Sequence, residues 1–499
     1  MLVALPAVAA SIQHPGLFQE MEVRMDMIKG HQELVAALRK SGDVIEVTRQ
    51  VDWNLEAGLI ARHINETGDR SALLTNIKDY PGARMHASPL SNYRRMAVAM
   101  ELDPDTPPKK IIDEYERRVR RPIKPTLVKD GPCKENIVKG DDINLLQFPA
   151  PMVHDGDGGR YLATWHVVVS RDLEQRDWVN WGMYRCMVHN EKYLGLLTLP
   201  GQDIGRQYLK YQAANEPMPV AICIGPDPCS AAASTSSPGA GVSEADIAGA
   251  IAQEPIELVK CETVDLEVPA YSEIVIEGHL LPNVRVVEGP FGEYTGYRTS
   301  PRDPRPVVKV SAITYRNNPI VPIANMGTPV DECDILFSIT WGMDVRQAVS
   351  KLPVAAVHIP PEACGHAAVV AVHKIYEGIA EHVANAIWGS KLGYLMPFVI
   401  VVDDDVDPYN WNEIIHAMFT KLHPQRSLHA RHCTPGHGLY PFLSTYERKW
   451  GIASNLLIDL TWPIDWDKNI DVPQKASVRG MYPRGLAEKV VAGWKEYGF

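Results

Sequence analysis

The apolar positions of this chain change their period along its length. Between about residues 30 and 125 the pattern is mixed. Gln32-Glu-Leu-Val-Ala-Ala-Leu-Arg39 has helical spacing, and Gly42-Asp-Val-Ile-Glu-Val-Thr48 then alternates as a half-buried strand does. From about 126 to 325, short β-branched and aromatic runs follow one another between Gly, Pro and Asp turns. The strand candidates are Thr164 to Ser170, Trp178 to His189, Val220 to Ile224, Ser272 to Glu277 and Val307 to Thr314. Past 326, Ala367-Ala-Val-Val-Ala-Val372 and Phe398-Val-Ile-Val-Val402 are unbroken apolar runs, the pattern of parallel strands covered on both faces. Helical patterns alternate with them. One puts Ile375, Ile379, Val383 and Ile387 on a single face, and another is Asn412 to Leu422. The last, about Gly485 to Tyr497, carries Leu486, Val490 and Trp494 in a stripe that suits its own core or a partner subunit.

These shifts predict a mixed α+β / α/β multidomain chain. An N-terminal extension covers 1–25, with Met25 or Met27 as an alternative start. A small α/β domain covers 26–125, a β-rich domain 126–325 and an α/β domain 326–499. The basic run Glu116 to Lys124 marks the first boundary and reads as a solvated helix end and linker. Ser230 to Gly241, rich in small residues, is either a flexible surface loop or a source of backbone N–H groups for a phosphate.

Composition narrows the class. The chain is 45% hydrophobic and 22% charged, ordinary for a globular protein. A net charge of −11 argues against nucleic-acid or anionic-membrane partners. Eight scattered cysteines with no Cys-x-x-Cys read as reduced thiols in a cytoplasmic compartment. No apolar run approaches the length of a membrane span. Met1 to Ala10 has some signal-peptide character, but it lacks a basic start and Pro6 breaks it.

The chemistry concentrates in Glu288-Gly-Pro-Phe-Gly-Glu293. Two carboxylates stand five residues apart in a loop that glycine and proline tighten, which suits an acid/base and its partner. Val179-Asn-Trp-Gly-Met-Tyr-Arg185 puts an amide and a guanidinium on one apparent strand. Their odd offset sends them to opposite faces unless a bulge intervenes. Asn180, Asp203 and Glu244 are hard oxygen donors suited to Mg²⁺ or Mn²⁺. His423, His429, His432 and His437, with Cys433, form a second candidate metal cluster, though at no familiar zinc spacing. Asp403 to Asp407 fails as an EF-hand loop because Pro408 occupies the glycine position, and it reads as a strand-to-helix cap.

Taken in order, the motifs resemble the UbiD-like family of reversible decarboxylases that use prenylated FMN. The matching pieces are Gly131-Pro-Cys-Lys-Glu-Asn136, Asp157-Gly-Gly-Arg-Tyr161, Asn180-Trp with Arg185-Cys-Met-Val-His189, and Ile256-Glu-Leu-Val-Lys-Cys261. They continue with the Glu288–Glu293 loop, Thr314-Tyr-Arg-Asn-Asn318, Lys391-Leu-Gly-Tyr394 and Val402 to Asp407. The resemblance spans roughly residues 30–499 and is closest to the ferulate/cinnamate branch. It implies a central split β-barrel cofactor domain and a C-terminal α/β domain that assists dimerisation, giving a homodimer or higher homo-oligomer. It also implies that Arg185, Glu288 and Glu293 form the acid/base network. Asn180 and Glu244 would hold the divalent metal that anchors the cofactor phosphate, with K⁺ nearby. Lys391 would contact the cofactor, and Gln202 and Met183 would lie against the flavin. Two departures stand out. The family's third metal ligand is a histidine in Gln-His-Ile, where this chain reads Gln202-Asp203-Ile204, and Gly182 replaces a serine.

The resemblance further implies a covalent adduct between substrate and prenylated FMN, with the cofactor obtained from a prenyl-flavin synthase. Side chains alone are poor electron sinks for a carbanion left by CO₂. Glu293 is the expected proton donor, with burial and Glu288 raising its pKa against Arg185. Met183, Tyr294 and Phe337 are expected to line the substrate pocket. The polar segment 423–437 favours an aromatic or heteroaromatic carboxylate over a plain cinnamate. A metal-dependent hydrolase and a non-catalytic cofactor-binding protein are the rival readings.

Overall fold

Helix His31–Ser41 buries Leu34, Val35 and Leu38 and stops at Gly42, whose φ of 78° suits a residue without a Cβ. It opens the part of the chain described by the computed structural model, which covers residues 28–236, 238, 242–299, 301–478 and 480–498. The expected extension 1–25 lies outside the described residues, as does part of the small-residue stretch 230–241. The N-terminal sheet has four strands in the order Val44–Val47, Ser71–Leu74, Arg84–Ala87, Ile320–Ile323. The fourth strand comes from the far end of the β-rich span and runs parallel to Arg84–Ala87. The first two spans are therefore joined by strand pairing as well as by covalent chain.

Most of the β-rich span folds into a nine-stranded sheet, beside a small sheet ordered Glu267–Pro269, Glu257–Lys260, Thr126–Leu127. The path of the large sheet runs Tyr161–Ala163, Cys186–Asn190, Tyr193–Leu196, Asp303–Tyr315, Ile274–Glu288, Met218–Ile224, His166–Arg171, Val179–Gly182, with Asn136–Lys139 also on Asp303–Tyr315. Among the described residues no pairing joins the two ends, so the sheet is open. Its pleat sorts the side chains by parity. Val167, Val169, Ala221, Cys223 and Val275 face one buried cluster, while Val168, Val220, Ile222, Ile274 and Ile276 face another. The run expected as one strand from Trp178 to His189 is two, Val179–Gly182 and Cys186–Asn190, on opposite arms of the sheet. The break at 183–185 removes the facing conflict between Asn180 and Arg185.

The C-terminal sheet has five strands, ordered Val354–His358, Ala367–Val372, Phe398–Asp403, Ile452–Leu460, Leu428–Pro435. The unbroken apolar runs lie inside it, parallel to each other, and antiparallel strands form both edges. Helix Ile379–Trp388 buries Ile379, Val383 and Ile387 as its spacing predicts. Ile375 does not join them: the chain turns at Gly378, and Ile375 is left 66% exposed. The last helix, Arg484–Ala492, and the single turn Trp494–Tyr497 bury no residue on their own chain, with Leu486 and Trp494 half exposed. No described helix is long and apolar enough to cross a membrane.

Helix Glu332–Ala348 bridges the central and C-terminal cores, sending Leu336 and Ile339 to one and Phe337 and Trp341 to the other. Asp331 caps it through the N–H of Cys333 at 2.9 Å. Glu332 is fully buried with neither carboxylate oxygen hydrogen-bonded. Burial, reinforced by Asp331, pushes its pKa up to about 8. Because the folded value lies above the ordinary one, the folded state holds the proton more tightly. The stabilisation is complete below about 4.5 and is lost as pH rises through about 8. Glu332→Gln should therefore flatten the decline of the urea midpoint between about pH 5 and 8. Parallel declines in variant and wild type would assign the effect to other groups.

Candidate active site

The strand break at 183–185 aims Arg185 between two carboxylates. Its Nε and Nη2 donate to Glu288 Oε1 and Oε2, both at 2.9 Å, a parallel two-point pair. Its Nη1 donates to Glu293 Oε1. All three side chains are buried. Glu288 is the last residue of strand Ile274–Glu288 and also accepts the Tyr161 hydroxyl at 2.8 Å. Phe291, between the two acids in sequence, packs on Tyr161 with ring centroids 4.3 Å apart and lies 5.7 Å from the guanidinium carbon.

The loop that carries Glu293 is held from one side. Gly292 N–H donates to Asp157 Oδ1 at 3.0 Å, and Gly158 N–H donates to the Pro290 carbonyl at 2.7 Å. Asp157 Oδ2 in turn meets His154 Nδ1 at 2.9 Å. A Cβ on Gly158 would lie 1.9 Å from the Gly289 carbonyl oxygen, so the close approach requires glycine there. Burial raises the Glu293 pKa, Arg185 opposes, and the charges of Glu288 and Asp157 add to the rise. Burial alone would lower the Arg185 pKa, but Glu293 and Glu288 outweigh it and raise it.

A cavity of about 230 Å³ opens beside this network. Every residue that the resemblance assigns to the site lines it except Glu288, which stands behind Arg185. One part is polar. Asn180 comes from strand Val179–Gly182, while Asp203 and Glu244 are the first residues of helices Asp203–Ala214 and Glu244–Ala252. Asp203 Oδ2 is 2.8 Å from Lys391 Nζ and its Oδ1 is 3.2 Å from Arg206 Nη1. Burial pushes Glu244 up to about 7, with Asp203 acting in the same direction and Lys391 opposing. Two acids and a buried amide lining one cavity are hard oxygen donors of the kind a divalent cation takes. Gln202 accepts the Leu199 N–H at 3.0 Å, which fixes the turn into Asp203.

Another part is aromatic. Tyr294 and Phe337 meet edge to face at 5.1 Å, and Phe337 stacks on Trp341 at 3.8 Å. Met183 also lines the cavity.

The histidine cluster does not assemble. His423, His432 and Cys433 are exposed, and His429 pairs with Glu381 at 3.4 Å. His437 alone of the four is buried, at the cavity. Among the described residues no group of three His, Cys, Asp or Glu could hold a metal, so the cluster carries no zinc reading.

Sequence reasoning missed His154, Asp157 and Tyr161 as supports, although Asp157-Gly-Gly-Arg-Tyr161 lay in a quoted motif. It also missed Tyr184. A Cβ on Gly182 would lie 2.2 Å from the Tyr184 hydroxyl, so Gly182 makes room for that ring, whose oxygen accepts from Asn180 Nδ2 at 3.5 Å.

Three domain models of 3-octaprenyl-4-hydroxybenzoate carboxy-lyase match in order: the N-terminal domain over residues 35–115, the Rift-related domain over 126–329 and the C-terminal domain over 335–460. The chain is 32% identical to pyrrole-2-carboxylic acid decarboxylase of Pseudomonas aeruginosa, covering 94% of this chain and 98% of that protein. The chain belongs to the UbiD family of carboxy-lyases. Among solved UbiD-like structures, vanillic acid decarboxylase of Sedimentibacter hydroxybenzoicus in its closed form superposes with a TM-score of 0.85 at 30% identity, covering 95% of this chain and 99% of that one. An evolved dimeric form of the UbiD-class enzyme HmfF from Pelotomaculum thermopropionicum, in complex with prFMN, gives 0.74 at 30% identity over 88% and 96%. UbiD membership makes this chain a carboxy-lyase on a mixed α+β multidomain fold.

Proposed function

We propose that the chain reversibly decarboxylates an aromatic or heteroaromatic carboxylic acid with prenylated FMN, and that Glu293 is the proton donor. The observation that carries this is the buried Glu293–Arg185–Glu288 chain at the wall of one cavity. Asn180, Asp203 and Glu244 would hold Mn²⁺ or Mg²⁺, and Lys391 would hold the cofactor phosphate, with K⁺ beside them. Met183 and Gln202 would flank the flavin. When bound, prenylated FMN would supply the electron sink that no side chain offers.

The chain's own residues do the rest. Arg185 orients the substrate carboxylate while its two-point bond to Glu288 keeps the guanidinium in place. Burial keeps a proton on Glu293 further toward neutral pH than on a free glutamate, so it is available to the carbon that CO₂ leaves. Tyr294, Phe337 and Trp341 shape a slot for a flat ring and exclude water. A cinnamate- or ferulate-type acrylic acid is the second reading, favoured by the apolar Phe337–Trp341 stack.

We also read the open nine-stranded sheet as a split barrel and the divisions 26–125, 126–325 and 326–499 as domains. The exposed helix Arg484–Ala492 would dock on a second copy to give a homodimer. A cytoplasmic location and a prenyl-flavin synthase as cofactor supplier complete the reading. The test is mass spectrometry, absorbance and metal analysis of protein co-expressed with such a synthase. A released prenylated FMN with one divalent metal is expected. Folded protein carrying no flavin would overturn the proposal.

A further inference from the structure

We infer that His154 is a positioning residue that works as an imidazolium cation, tying the loop that carries Glu293 to Asn325 and Met326. The inference rests on the decarboxylase reading and adds to its machinery a residue outside the cavity lining.

Both ring nitrogens meet acceptors. Nδ1 lies 2.9 Å from Asp157 Oδ2, and Nε2 lies 2.8 Å from Asn325 Oδ1 and 3.0 Å from the Met326 carbonyl. The Asn325 amide cannot be turned round, because its Nδ2 donates to the Gly58 carbonyl at 2.7 Å. Two oxygens that can only accept therefore require a proton on Nε2. The Asp157 carboxylate, which also accepts the His154 N–H at 3.1 Å, requires one on Nδ1. A neutral imidazole has a single N–H, so satisfying both sides takes the cation.

The surrounding charges agree. Asp157 is buried, and Arg298 Nη2 lies 3.5 Å from its Oδ1, which favours the ionised carboxylate. Arg62, on helix Glu56–Thr67, pairs with Glu66 and donates to the Asn325 backbone carbonyl at 3.2 Å. Asp331 accepts the Gly327 N–H at 2.9 Å, and Asp155 is exposed. Burial lowers the His154 pKa, but its bonds to Asp157, Asn325 and Met326 outweigh that and raise it above the ordinary 6.5.

The ring reaches the acid by two routes. Asp157 Oδ1 accepts the Gly292 N–H at 3.0 Å, and the ring itself lies against Gly292, where a Cβ would come 2.6 Å from Nδ1. Phe291 meets the ring edge to face at 5.6 Å. On the other side, Asn325 and Met326 lead from strand Ile320–Ile323 toward helix Glu332–Ala348, which carries the cavity residues Phe337 and Trp341. The cation thus fixes the residue before Glu293 against the chain that enters the aromatic wall. Because the folded pKa is the higher one, the tie is complete below about 6.5 and is lost as pH rises through the folded value.

The test uses enzyme loaded by co-expression with a prenyl-flavin synthase, as wild type, His154→Gln and Asp157→Asn. Nitrogen NMR of protein carrying labelled histidine should show one ring protonated on both nitrogens, with a midpoint above 6.5. His154→Gln should remove that signal, and Asp157→Asn should lower its midpoint. Hydrogen exchange read by mass spectrometry, corrected for its intrinsic pH dependence, should show wild-type protection of a peptide covering Gly292 falling through the same midpoint. Peptides from strand Met218–Ile224 should stay protected throughout. In His154→Gln the Gly292 peptide should lose about tenfold in protection at every pH. CO₂ release from a panel of benzoates, cinnamates and pyrrole- and furan-carboxylates should show kcat about tenfold lower in both variants, with KM changed less and cofactor content intact. A midpoint at or below 6.5, or wild-type protection that does not respond to pH, would mark a merely structural histidine and overturn the inference. An undiminished kcat in His154→Gln would do the same. A cationic ring with pH-dependent protection in a wild type that releases CO₂ from none of the acids would leave His154 standing and bring down the decarboxylase reading instead.

Discussion

Glu293→Gln is expected to lower CO₂ release by about 10²- to 10⁴-fold with the fold and cofactor content intact. Glutamine keeps the shape and can still accept from Arg185, but it carries no proton that it can give to carbon. The environment argues for this residue over its partner. Glu288 receives two guanidinium bonds and the Tyr161 hydroxyl, so both of its oxygens are engaged behind Arg185. Glu293 takes a single nitrogen of Arg185 and faces the cavity. Its raised pKa follows first from burial, with Arg185 opposing. The measurement is solvent deuterium incorporation at the former carboxyl-bearing carbon, followed beside CO₂ release. Wild-type rates of both in the variant would assign the proton to another group.

Arg185→Ala is expected to abolish turnover and to destabilise the protein by about 3–5 kcal/mol, because it strands a buried carboxylate. Glu288 is 0% exposed and would keep only Tyr161 as a donor. Removing both charges tests this account. Arg185→Met combined with Glu288→Leu replaces the pair by apolar groups of similar size and should recover much of the lost stability without recovering activity. Urea midpoints of the three proteins, with loss of central-sheet signal as the probe, give the comparison. An Arg185→Ala midpoint indistinguishable from wild type would mean that Glu288 does not depend on its partner.

Much of this architecture is readable from local pattern. Ala367–Val372 and Phe398–Asp403 are covered on both faces, so their unbroken apolar runs state their place at the centre of a sheet. Arg185, Glu288 and Glu293 are linked only through the family resemblance, since two acids around a tight turn suit a solvated loop equally well. What escaped depends on contacts made elsewhere. The residues from Trp178 to His189 are mostly strand formers, and the two halves pair on different arms of the sheet, which breaks the run. Ile375 keeps helical spacing, but a left-handed glycine three residues later ends its claim to that face. The Gly182–Tyr184 fit and the Asp203–Lys391 ion pair are side-chain meetings that neither spacing nor propensity encodes.

Strand Ile320–Ile323 has a consequence for how the chain is born. The N-terminal sheet lacks its fourth strand until more than two hundred further residues have left the ribosome, and until then Arg84–Ala87 presents an open edge. Synthesis therefore cannot finish this protein one domain at a time from its start. The nascent N-terminal piece must wait, exposed, for a pairing of very long sequence separation, which makes that interval the slow and aggregation-prone stage of its folding.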